Sequence, residues 1–165
     1  MQIPFERIVQ QHGLTVLRVC RALLDEHRAQ DAWSETFLSA LKSYAELPDG
    51  ANVQAWLVRI AHRKAIDELR KHQHEVVADA LLENEPSSEP LPETRIVNGE
   101  LWQAVKVLPN KQRFVIAYRY LGGLSYAQIA EILSGTEAAA RRAGSDGIKN
   151  LRSTWKHAQL LEEMS

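Results

Sequence analysis

From Trp56 to Leu69 the apolar residues fall three and four positions apart: Trp56, Leu57, Ile60, Ala61, Ala65, Ile66 and Leu69. That spacing lines one stripe of an α-helix. It recurs along the chain, and no segment alternates apolar and polar residues as a half-buried strand would. The expected fold is therefore all-α. Helices are expected at about Pro4–Leu24, Gln30–Tyr44 and Val53–His74, then at about Glu100–Leu108, Asn110–Leu121, Ser125–Leu133 and Thr136–Ala158. Phe5, Ile8, Val9, Leu14, Val16, Leu17 and Leu24 are the apolar candidates of the first helix, with a bend at Gly13. Trp33, Phe37, Leu38 and Leu41 should face inward from the second. Leu47-Pro48-Asp49-Gly50 reads as a turn.

Between these two sets of helices the composition changes. Pro86, Pro90 and Pro92 remove amide donors and disfavour helix before them. Few apolar residues lie between Glu83 and Arg95, so little burial could offset the entropy of ordering. Six acidic residues face one basic residue over 75–98, against ten basic and nine acidic over 1–74, and nine basic and six acidic over 99–165. The net charge of −1 thus conceals an acidic linker between a neutral half and a basic half. The reading is two small helical domains, 1–74 and 99–165, joined by a flexible acidic linker at 75–98, with one helical turn around Ala78–Leu82.

The second half carries a helix-turn-helix outline. Ser125 with Gln128 forms a capping box, and Ile129, Ile132 and Leu133 follow as an apolar face. Ser134-Gly135 ends that helix and Thr136 can cap the next. Glu137 suits the start of the next helix, which carries Arg141, Arg142, Lys149 and Arg152. Such a pair of helices can place the second one in the DNA major groove, although capped helical hairpins with no such role are common.

Other classes find little support. Cys20 is the lone cysteine, which excludes an internal disulfide and any multi-cysteine zinc site; among Leu17, Val19, Leu23 and Leu24 it reads as a small buried hydrophobe. No signal peptide and no apolar run of about 20 residues is visible, so the expectation is a cytoplasmic protein without membrane insertion. His72 and His74 have no further ligand at metal spacing and point to different helix faces. There is no Gly-rich phosphate loop, nucleophile elbow or HExxH motif. No enzymatic activity and no cofactor are expected.

The third helix exposes Arg59, Arg63, Lys64, Arg70 and Lys71 and begins near Trp56 and Asn52. Cations beside an aromatic ring suit single-stranded nucleic acid; a core Trp under a solvated charged face is the plainer alternative. Taken together, DAWSETFLSAL (Asp31–Leu41) and NVQAWLVRIAHRKAIDELRK (Asn52–Lys71) resemble region two of bacterial sigma factors. LPNKQR and GLSYAQIAEI (Leu108–Arg113 and Gly123–Ile132) resemble region four. The order, the Pro-rich linker and the lack of a further domain are similar to the extracytoplasmic-function group of the sigma-70 family.

That resemblance implies a mechanism. Asp31, Glu35, Leu38 and Lys42 would dock on the clamp helices of the largest subunit of core RNA polymerase, and the second domain on the flap of the second-largest subunit. Asn52, Val53 and Trp56 would capture unstacked bases of the minus-ten promoter element, with Arg59, Arg63 and Lys64 on the backbone. The linker would run towards the RNA exit path. At the minus-thirty-five element Arg113, Ser125 and Tyr126 would position the backbone, and Glu137, Ala138, Ala140, Arg141 and Arg142 would face base edges. An anti-sigma factor is a further partner the resemblance admits. Gly144, Asp146 and Gly147 depart from the family pattern, and an interrupted or bent recognition helix is expected there. A free-standing helix-turn-helix regulator, binding duplex DNA without polymerase, is the alternative; it has no need of the Asp31–Leu38 motif.

Overall fold

A computed structural model describes residues 2–82 and 97–164, with side chains over 2–73 and 102–154. Every regular element among the described residues is helical. The first half contains α1 (Phe5–Leu23), α2 (Glu26–Ser43), a single tight turn at Tyr44–Glu46 and α3 (Val53–Leu82). The second contains α4 (Val97–Lys106), α5 (Asn110–Ile116) with a π-helical turn at Ala117–Leu121, α6 (Tyr126–Leu133) and α7 (Glu137–Met164). The remainder of the acidic stretch, 83–96, lies outside the described residues.

Caps set the helix starts. α2 begins four residues earlier than expected because Asp25 accepts from the Arg28 amide at 2.9 Å. Asn52 does the same for the Ala55 amide at 3.0 Å and starts α3. α3 does not stop at His74 but runs to Leu82, through residues the sequence assigned to the linker. The Ser125–Gln128 capping box is present in both directions. Thr136 caps α7 through the Ala139 amide at 3.1 Å. Ser134 ends α6 at φ 56°, the left-handed conformation that glycine adopts more easily.

α1 runs unbroken through Gly13, which seats Trp33: the indole donates to the Gly13 carbonyl at 2.8 Å, and a Cβ there would meet the ring at 3.5 Å. Phe5, Trp33, Phe37, Tyr44 and Trp56 form the aromatic end of the first half. α2 contributes Ala29, Ala32, Phe37 and Ala40 to the core. Leu38 and Leu41 do not point inward; they are 57% and 55% exposed, and Leu14 on α1 is 60% exposed. Helical spacing alone placed Leu38 and Leu41 wrongly, since the smaller alanines fill the contact face of α2.

α7 corrects the expected interruption at Gly144 and Gly147. The helix continues through both, and both are buried. A Cβ on Gly147 would lie 2.8 Å from Ile116 Cγ1, and one on Gly144 would lie 3.0 Å from the Tyr126 hydroxyl. These glycines lower helix propensity by ~1 kcal/mol each. They also let α5 and α6 approach the α7 backbone, and that packing keeps the helix continuous.

The halves also close on one another. α1 packs against α4, α5 and the π turn, and α3 packs against α6. One continuous apolar core therefore includes Val19, Cys20, Leu57 and Val58 from the first half and Val115, Tyr118, Leu124 and Ile129 from the second. Replacing Gly147 with Val should overpack the α5–α7 contact and destabilise the protein by about 1–3 kcal/mol. A lowered denaturant midpoint at unchanged slope would report it.

Candidate polymerase and nucleic-acid interfaces

The outer face of α2 presents Asp31, Glu35, Leu38 and Lys42, all exposed. Asp31 lies 3.8 Å from His27, and Glu35 lies 3.8 Å from Lys64 of α3. Leu38 and Leu41 stand between these charges as an uncovered apolar pair. An apolar centre with a charged rim is the composition of a protein-docking surface.

The start of α3 gathers the second set. Asn52 is exposed, and its side chain is spent on the helix cap. Val53 and Trp56 are half-buried against the core, and the Trp56 ring lies 6.4 Å from Tyr44. Arg59 and Arg63 are exposed along the helix, while Lys64 is partly covered beside Glu35. Trp56 therefore both anchors the core and offers part of its surface; neither sequence alternative describes it fully.

The C-terminal half packs directly beside this face. Gln54 donates from its side-chain amide to the Gly122 carbonyl. Gly123 makes that approach feasible: its φ is +69°, and a Cβ there would lie 2.8 Å from the Gln54 amide nitrogen. Arg59 reaches Glu131 of α6 at 3.8 Å, an exposed ion pair that contributes little by itself. At the centre of the seam, Tyr118 is fully buried, and its hydroxyl is hydrogen-bonded to Nδ1 of His62. Phe114 stacks on Tyr118 with ring planes 5° apart and meets His62 edge-on. Burial of a large side chain of this kind contributes roughly 1.5–3 kcal/mol, and the histidine satisfies a hydroxyl that would otherwise be costly to bury. Sequence reading missed Gln54, His62, Tyr118 and Glu131. The available signal was two aromatic residues, Phe114 and Tyr118, four positions apart on one helical face.

The helix-turn-helix presents the third set. Ser125, Glu137, Ala138, Arg141 and Arg142 are exposed at its outer edge, with Tyr126 half-buried among them. Two expected residues do not reach this surface. Arg113 is buried; it donates to Asn110 Oδ1 at 2.6 Å and to the Lys106 carbonyl at 3.3 Å, tying α4 to α5. Burial holds its guanidinium below the usual range. Ala140 is 3% exposed and packs into the core between the helices. Neither is available to DNA, because each side chain faces the contact between helices that exposes its neighbours.

Residues 8–75 match the family model of Sigma-70 region 2, and residues 98–151 match that of Sigma-70, region 4. The ECF RNA polymerase sigma factor SigW of Bacillus subtilis is 30% identical, covering 90% of this chain and 88% of its own. The ECF RNA polymerase sigma factor SigK of Mycobacterium tuberculosis is 26% identical, covering 81% and 75%. Among solved structures, sigma factor RpoE in complex with the anti-sigma factor NepR from Bartonella quintana matches at a TM-score of 0.74 and 22% identity over 92% of this chain and 98% of that one. CnrH in complex with the cytosolic domain of CnrY matches at 0.71 and 19% identity, over 93% and 88%. The chain belongs to the extracytoplasmic-function group of the sigma-70 family. It is a sigma factor, a transcription initiation factor that binds RNA polymerase and directs promoter-specific initiation. Two matched regions in order do not favour a free-standing regulator. No helix among the described residues is long and apolar enough to cross a membrane.

The seam has a pH dependence with a definite sign. Burial, and secondarily Arg63, hold the His62 imidazole below its usual 6.5. Tyr118 and Phe114 cover the ring, and Lys111 lines the same cleft. The packed state thus favours neutral His62, whereas a parted state restores water to the ring. The contribution of the histidine to closure is complete above pH 6.5 and is lost as pH falls from there towards the lowered value. Small-angle scattering should show the chain expanding as pH drops below 6.5, and His62→Gln should remove that dependence.

Proposed function

We propose that this sigma factor engages core polymerase chiefly through the α2 face and reads its promoter with two separated surfaces. Asp31, Glu35, Leu38 and Lys42 meet the clamp helices of the largest subunit, and the second half meets the flap of the second-largest. Asn52, Val53, Trp56, Arg59, Arg63 and Lys64 face the minus-ten element. Ser125, Glu137, Ala138, Arg141 and Arg142 face the minus-thirty-five element, with the half-buried Tyr126 behind them. The acidic segment lies along the path of the emerging RNA. The chain performs no catalysis of its own; the polymerase supplies it. The carrying observation is the uncovered Leu38–Leu41 pair rimmed by Asp31, Glu35 and Lys42 on the same half as the basic α3.

The closed seam adds a step. Arg59 already has a partner in the second half, and Gln54 beside it has another, so engagement of the whole minus-ten face favours parting of the halves. The loss is modest at the exposed Arg59–Glu131 pair and larger at Tyr118. Polymerase contacts on α2 leave the seam untouched and can form first. The sigma factor RpoE, a solved structure of this fold, is in complex with the anti-sigma factor NepR, and a partner of that kind fits a chain whose two halves can close.

Reconstitution with core polymerase and start-site mapping across a genomic promoter library tests the reading. Binding with promoter-dependent initiation is expected; neither binding nor initiation would overturn it. Leu38→Glu should weaken polymerase binding by about tenfold or more, as central interface residues do. Its exposed position should leave stability within about 0.5 kcal/mol.

A further inference from the structure

Tyr126 opens α6 directly after the Ser125 cap. Its ring rests on the bare backbone of Gly144: a Cβ there would lie 3.0 Å from the hydroxyl and 3.2 Å from Cε1. Two cations gather at this ring. The guanidinium carbon of Arg119 is 4.7 Å from the centroid and that of Arg141 is 5.1 Å, both within the range of cation–π attraction. Each arginine is also fixed at a second point. Arg119 donates to the Leu124 carbonyl at 3.1 Å, and Arg141 donates to Glu137 Oε1 at 2.6 Å. A guanidinium has five donors, so these bonds leave most of them for another acceptor.

We propose that Tyr126 is a positioning residue for the recognition helix: its ring, seated on Gly144, fixes Arg141 beside Arg119 before the duplex arrives. This rests on the minus-thirty-five reading given above. A long cation that is already oriented loses less conformational freedom on binding than a freely rotating one. Like charges brought together would repel. The ring face and Glu137 offset that repulsion in the free protein, and duplex phosphate offsets it in the complex. Gly144 then has a functional reason. A leucine there would fill the seat, displace the ring and release Arg141, while Arg119 stays held by the Leu124 carbonyl. The glycine and the tyrosine act as one pair, contributed by α7 and α6.

Binding of reconstituted holoenzyme to a duplex carrying the minus-thirty-five element, measured across salt concentrations, tests this. Tyr126→Phe keeps the ring and should stay within about twofold of the parent. Tyr126→Leu and Gly144→Leu should each lose about tenfold, with the salt slope shallower by about one, as Arg141→Gln should give. Tyr126→Leu combined with Arg141→Gln should be no worse than Arg141→Gln alone, because the tyrosine acts through the arginine. Full additivity with an unchanged salt slope would overturn the inference and leave a packing role only. Circular dichroism melting identifies any variant that fails to fold; should the leucine variants do so, Gly144→Ala, whose Cβ would press on the Tyr126 hydroxyl at 3.0 Å and on Cε1 at 3.2 Å, takes their place in the cycle with Arg141→Gln. A parent holoenzyme that ignores the element would instead overturn the promoter reading itself.

Discussion

Burial of Tyr118 holds the arrangement together. Its ring comes from the π turn that extends α5, and it reaches a site walled by α1 and α3 of the other half. A tyrosine cannot be buried there without a partner for its hydroxyl, and His62 supplies one. Once that ring is seated, Gly122 and Gly123 come against Val19 and Gln54. A Cβ on Gly122 would meet the Tyr118 carbonyl at 2.8 Å, so the chain leaves the π turn through a residue without one. The alignment of α6 over α3, including the peripheral Arg59–Glu131 pair, follows from this seat.

Glycines repeat that logic elsewhere. Gly13 receives Trp33, Gly144 receives Tyr126 and Gly147 receives Ile116. In each case an intrinsic helix weakness permits close approach by a large side chain from a neighbouring helix. The helices are thus stabilised by what packs on them rather than by their own propensity, which agrees with the modest stability of isolated helices in water.

Much of this was legible in the sequence because it is local. The capping box at Ser125, the Thr136 cap and the left-handed stop at Ser134 depend on residues within four positions of one another. The helical class and the exposed basic face of α3 follow from periodicity. Tertiary neighbours decided the rest. Nothing around Arg113 in sequence says that it faces α4, and nothing around Ala140 says that it faces inward. Leu38 and Leu41 read as core because spacing cannot distinguish a face covered by its own chain from one left for another protein. Gly144 read as a helix breaker because its tyrosine lies eighteen residues earlier. The seam was the least legible feature, since it joins residues more than fifty apart.

Cys20 gains a meaning from its place beneath this seam. Burial pushes its thiol up to about 12, and its side chain is fully buried in the core shared with Tyr118. At neutral pH such a sulfur carries almost no thiolate, and the thiolate is the form that oxidants and electrophiles attack. The closed chain is therefore chemically sheltered as well as sterically occupied. Its one oxidisable thiol is shielded by the same packing that covers part of the α3 face.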